Sequence, residues 1–556
     1  MEKRVVLAIV LSLLVVVTWS YFFAPPPPSQ PPEGPSEQVA EQAPPPAPSP
    51  VSPAPVPTPA APAAPAANAS TVQVDTGAAQ LTLTGLGAGV KDVSLHHYHV
   101  SLEHDSPPIV ISPVPEASIM PLASQLDLNG RSVPLGQVIF TPSHSDIHLS
   151  PDQPEATVTF QGATPDGLVV HRTYRFHYDR YDFDVSTWVE GVRSAPGDTM
   201  SLFWGPGLFR AASESLDRRG QTKPVPRSYV NGKVHELALK EAGQTQVDAG
   251  KVGWAALGDT YFSAVLLPRE PAATAATVEL LREGVYEVGV RTPLGDSNTP
   301  QTVQVYVGPK AHRVLERVDP SLTKIIDLGF FSVLARPMLQ LLIAVNSWIH
   351  NYGITIILVT ILIKIVLWPL TQKSAKSMRA MQKLQPKLKD LQVRYKDDRQ
   401  GLNRAMMELY RENRVNPMGG CLPMLLQIPV FFAFYNALLY SIELRHAPFI
   451  CWETSIWWLG RGICDLSVYD PSYITPLLMG ASMFLQQRMT PMTTADPTQA
   501  KVMQFMPLMF LFFFLKAPAG LVIYWLVNNV LSIVQQVIIN RMSEQEEARA
   551  KVVSQE

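Results

Sequence analysis

The sequence predicts a polytopic α-helical membrane protein of six spans, with a large all-β sandwich domain outside the cytoplasm and a helical hairpin inside it. Three observations carry this fold class. Hydrophobic residues make up 46% of the 556 positions and charged residues only 17%, and the apolar residues are gathered into blocks. Between the first two blocks lies a long stretch with the period-two alternation of strands. One later connecting segment concentrates the basic residues.

The first block, Val5 to Phe23, follows Lys3 and Arg4 and is long enough, at about 1.5 Å per residue, to cross a hydrocarbon core of about 30 Å. It ends in Trp19, Tyr21, Phe22 and Phe23, where a cleavage site would need small residues, so residues 1–24 read as a retained anchor. Residues 25–69 form a Pro/Ala-rich spacer with too little bulky apolar content to fold. From 70 to 315, segments such as Gln80–Thr84, Ala156–Phe160, Tyr181–Val189 and Gln301–Val307 alternate Val, Thr, Tyr and Phe with polar residues, which fits one large β-sandwich.

His96, His97 and His99 lack a further ligand set and read as surface histidines, and Leu239 stands where His235-Glu236 would need the second histidine of a zinc-protease motif. There is no Walker-type phosphate loop and no Gly-x-Ser-x-Gly elbow, so nothing points to nucleotide hydrolysis, hydrolase chemistry, a metal or a cofactor. Three cysteines are too few for a disulfide scaffold. Cys451 and Cys464 share one external loop, where a disulfide and two free thiols are both open.

In the segment 316–350, Leu322, Ile325, Ile326, Leu328 and Phe330 alternate with Lys324 and Asp327, predicting a short amphipathic helix at the membrane interface and a lead-in to the second span. Five spans follow within 351–541, near Asn351–Leu370, Gly420–Ile442, Tyr473–Met489, Met503–Leu515 and Ala519–Ile539. The connection 371–416 carries twelve Lys and Arg against five acids and belongs in the cytoplasm; the acidic loop Glu443–Ser472 belongs outside. Both termini, including the tail 542–556, then lie in the cytoplasm.

In the basic connection, Met378, Met381, Leu384, Leu388, Leu391 and Tyr395 recur at spacings of three and four, giving a helix with one apolar face and a kink at Pro386. A second helix over Leu402–Tyr410 completes a hairpin. Its methionines offer an adaptable apolar surface, and its basic face suits anionic lipid or the RNA of a ribosome. A plain hairpin core and an ordinary basic loop account for the same residues.

Lys364 interrupts the apolar run Ile354–Trp368. An ammonium at such a depth costs about 2.5–3.5 kcal/mol on insertion scales, which marks it as a candidate functional residue. Thr360 lies one turn earlier on the same face, Gln427 interrupts the third span, and Asn528 and Asn529 interrupt the last. Each alone fits an interhelical hydrogen bond; together with a lysine they suggest a wetted cavity. A transporter or channel that binds a small anion at Lys364 is the alternative, and the chain shows no inverted repeat to support it.

Residues Asn416–Pro423, Gln427–Pro429 and Phe431–Tyr435 resemble the third span of the YidC family of bacterial membrane-protein insertases. The resemblance extends over Trp368–Thr371, Leu384–Pro386, Leu444–Pro448, Phe505–Pro507 and Gly520–Trp525, and covers nearly all of 320–540. The β-domain behind a single anchor resembles the Gram-negative branch. The resemblance implies a five-helix insertase core around a hydrophilic groove open to the cytoplasm, with Lys364 where the family typically carries arginine and with Trp525 as a further groove residue. It also implies that Ile428, Phe431 and Phe505 face lipid along the path of a substrate's apolar segment. Nascent membrane proteins, the Sec translocon, the ribosome and anionic lipids are the implied partners, and inner-membrane insertion with a chaperone role is the implied function, without bond chemistry.

Overall fold

The computed structural model describes residues 69–553 apart from 115, 116, 118, 211–223, 271, 296–298, 396–397, 414, 416–421, 453–461 and 490–496. The expected anchor, nearly all of the spacer, and Cys421 lie outside the described residues.

The β-domain has two layers. One is a nine-stranded antiparallel sheet that runs in the order Lys233–Glu236, Val225–Val230, Val252–Gly258, Phe262–Glu270, Gln301–Pro309, Asp182–Val189, Val169–His177, Glu155–Ala163 and Phe140–Pro142. The other layer is split into two six-stranded sheets, so the single sandwich expected from the alternation contains three sheets. Several strands alternate buried and partly exposed residues, as in Val169–His177, because one face enters the core between the layers. Arg172 lies within that core with no exposed surface, and it donates to Thr187 Oγ1 at 3.2 Å, to the carbonyls of Gly87, Ala88 and Leu122 at 3.0, 3.1 and 2.6 Å, and to Ser124. Five acceptors replace the water a guanidinium would otherwise hold.

The outer face of the nine-stranded sheet is also buried. Trp254, Ala256, Val265, Leu267 and Tyr306 open a second core that continues through Leu315, Leu322 and Ile325 into the helical region as far as Tyr524. After helix α1 (His312–Val318), residues 319–328 form a strap across this face. Here the structure departs from the expected amphipathic helix over 322–330. Pro320 starts a six-residue 3-10 turn, Gly329 at φ +67° ends the segment, and Leu322, Ile325, Ile326 and Leu328 are buried. Lys324 donates to Tyr229 Oη at 2.8 Å, and Arg227 holds the Ile325 carbonyl at 3.1 Å and the Asp327 carboxylate at 2.7 Å.

The amphipathic helix begins only at α2 (Ser332–Ile349), which buries Ala335, Met338, Leu339 and Leu342 and exposes Val333 and Trp348. Helix α3 (Tyr352–Lys383) runs beyond the expected span into the basic segment. It breaks at Leu384, and Pro386 falls in the first turn of α4 (Gln385–Arg394), where its missing N–H costs nothing. Helix α5 (Arg399–Glu412) packs against α4, its N-terminus capped by Asp398, which accepts from the Gly401 amide at 2.9 Å.

The remaining helices are α6 (Leu422–Leu439), α7 (Ile474–Met489), α8 (Pro497–Phe514) and α9 (Ala519–Val553), which carries on into the expected tail. Among the described residues, Ser332–Ile349, Tyr352–Met381 and Ala519–Met542 are long and apolar enough to cross a membrane; Gln427–Leu439 and Gln504–Phe514 are shorter apolar runs. Pro337, Pro369, Pro429 and Pro507 lie inside helices, a feature that membrane bundles tolerate because neighbouring groups satisfy the freed carbonyls. Cys451 and Cys464 form a disulfide. The loop they share is tied to the β-domain by Arg445, which donates to the His99 carbonyl at 2.8 Å.

Candidate functional site

Helix α9 is the hub of the polar interior. Tyr524, Asn528 and Ser532 recur every fourth residue, which stacks them on one face, and Gln535 follows on the same stripe. Lys364 of α3 turns toward that stripe, and its Nζ donates to Ser532 Oγ at 2.7 Å. Ser532 Oγ in turn donates to the Asn528 carbonyl at 2.7 Å. Farther along the same helix pair, Gln535 donates to Thr371 and Arg379 to Asn540. Lys364 has no carboxylate partner among the described residues. Ile365 and Val366, the next two residues, are 61% and 68% exposed on the other side of α3.

The other expected residues divide around this seam. Thr360 is buried, and its hydroxyl donates to the Ile356 carbonyl of its own helix at 2.6 Å. Asn529 faces α7, where it donates to Ser482 Oγ at 3.2 Å. Gln427 reaches from α6 to Tyr524 Oη at 2.8 Å. Trp525 sits in an aromatic cluster, edge-on to Phe431 at 4.8 Å between centroids and close to Phe510 and Phe514 at 5.8 and 5.4 Å. Phe431 is thus half-buried against Trp525, whereas Ile428 and Phe505 are exposed. Phe505 also borders an apolar cavity of about 320 Å³ between α7 and α8. In the basic segment Met381 is buried, Met378 is half-buried and Tyr395 ends α4.

Ser532, Gln535 and Ser482 escaped the sequence reading. A lone serine in an apolar helix draws no attention, since its hydroxyl can bond back to the preceding turn. The signal was the spacing: Ser532 lies four residues, and Gln535 seven, after Asn528.

These features define a helical membrane protein with a polar seam inside its bundle and a folded β-domain joined to it through a shared core. Residues 344–547 match the family described as 60Kd inner membrane protein, and residues 71–341 match the YidC periplasmic domain. The membrane protein insertase YidC of Geobacter sulfurreducens is 38% identical over 559 residues, covering 99% of this chain and 100% of the relative. That of Nitratidesulfovibrio vulgaris is 40% identical over 545 residues, with 96% and 98% covered. A solved structure described as an active YidC insertase with its first transmembrane domain resolved aligns with 83% of this chain and 90% of its own, at 18% identity and a TM-score of 0.35. The chain belongs to the YidC family of membrane protein insertases. It is an inner-membrane insertase with a periplasmic domain.

Proposed function

We propose that this insertase works through a groove open to the cytoplasm, in which Lys364 attracts the acidic residues of a substrate's hydrophilic tail. The observation that carries this reading is the inward direction of the Lys364 ammonium, toward a hydroxyl on α9 with no carboxylate to neutralise it. An acidic side chain entering the seam gains a charge-assisted hydrogen bond that offsets part of its lost hydration. Asn528 lines the α9 side, and Asn529, bonded to Ser482, the side toward α7. The substrate's apolar segment meanwhile passes along the exposed residues Ile428 and Phe505, beside Phe431 and Trp525, and partitions into lipid. Burial at about 25 cal/mol per Å² drives that step without a nucleotide. The membrane potential assists an acidic tail moving outward by about 2.3 kcal/mol per charge per 100 mV.

The proposed topology has six spans, both termini in the cytoplasm and the α4–α5 pair projecting there as a hairpin. Its basic residues make it the surface for a ribosome or anionic lipid, and insertion and folding proceed alone or with the Sec translocon. The test is insertion of an acidic-tailed substrate by Lys364→Arg and Lys364→Glu proteins in proteoliposomes. The charge-reversed form should fall by roughly tenfold or more while the arginine form stays close to wild type. Equal activity of the two would remove the electrostatic role.

A further inference from the structure

We infer that Ser532 is the positioning residue of Lys364, holding the ammonium in the seam so that its free donors meet a substrate carboxylate. This inference rests on the proposed role of Lys364. Lysine is a flexible chain ending in a point charge, so unlike the planar fork of arginine it carries no built-in direction. At its depth in α3 the stem can turn along the helix toward the headgroups or across it toward α9. The second choice needs a fixed acceptor.

Ser532 is built as one. Its single proton is committed to the Asn528 carbonyl at 2.7 Å, which leaves only lone pairs for Lys364 Nζ at 2.7 Å. With that proton on the carbonyl, the hydroxyl meets the ammonium as an acceptor. An ammonium has three donors, and Ser532 takes one; among the described residues no other group accepts from Lys364. Two N–H groups stay available on a charge whose direction is set. The same backward bond to Asn528 ties the acceptor to its own helix, so the geometry is held by backbone.

The experiment compares insertion of two substrates that differ only in their tails, one with aspartates and one with asparagines, by full-length protein in proteoliposomes. The readout is the ratio of acidic-tail to amide-tail insertion, which loss of bundle packing alone would not move. Ser532→Ala should lower that ratio by roughly tenfold or more, the scale of a hydrogen bond to a charged group. Ser532→Thr keeps the hydroxyl and should restore it. In a Lys364→Gln background Ser532→Ala should add nothing. The inference is overturned if Ser532→Ala leaves the ratio intact while Lys364→Gln lowers it, if Ser532→Thr fails like alanine, or if the two losses add. A ratio unmoved by Lys364→Gln itself would instead overturn the role given to the lysine.

Discussion

At the residue scale, an ionisable group away from water is tolerated only with a partner, and the chain meets that demand in several ways. Arg172 is met by hydroxyls and carbonyls between the β-layers, and Lys364 by one serine on α9. Glu287 is met least well. It stands directly opposite Glu279 across neighbouring strands, and burial, then the Glu279 charge, push its carboxyl up from 4.5 to about 7. A carboxyl that holds its proton more tightly when folded loses stability as pH rises from its unfolded to its folded value. Thermal unfolding of the purified protein should therefore weaken between pH 4.5 and 7, by up to about 3 kcal/mol in this domain. Glu287→Gln should flatten that slope; an unchanged profile would show that Glu287 is solvated. Lys364 could be read from sequence because charge inside an apolar run is rare. Ser532 could not, because a serine there is common and its meaning lies in a contact 168 residues away.

At the element scale, the strap 319–328 explains where periodicity misled. Leu322, Ile325, Ile326 and Leu328 have helical spacing, yet only nine residues separate Asp319 from Gly329, and protein covers them on both sides. Tertiary burial overrode a pattern that looked amphipathic. Arg227 is the bolt of the strap, joining strand Val225–Val230 to Ile325 and Asp327. Its removal should cost roughly 1–3 kcal/mol locally. In hydrogen exchange, Arg227→Ala should speed exchange of the amides of 322–328 by about tenfold or more, with little change in Val169–His177. Equal protection in both proteins would mean that the apolar contacts alone hold the strap. The break between α3 and α4, by contrast, was legible from Pro386, because proline acts through local geometry that needs no tertiary partner.

At the scale of the whole molecule, two cores divide the work. The first makes the β-domain from three sheets, and the second runs from its outer face through the strap into the helices. Alternation in 70–315 made the first core legible, but nothing in a strand pattern tells which outward face another element will cover. The disulfide was likewise open in sequence, since the spacing of Cys451 and Cys464 suits two thiols equally. Docked in this way, the β-domain holds one end of a bundle whose polar seam runs along α3 and α9 while bulky apolar residues such as Val366 and Phe505 face outward. This division of polar inside from apolar outside is what the proposed mechanism needs. The most direct test places a photocrosslinker at position 528 or at position 366, with Lys364 intact, during insertion of a protein with an acidic tail. Position 528 should capture the hydrophilic tail, and position 366 lipid or the apolar segment. Capture of the tail from 366 as readily as from 528, or from neither, would contradict a groove along the α3–α9 seam.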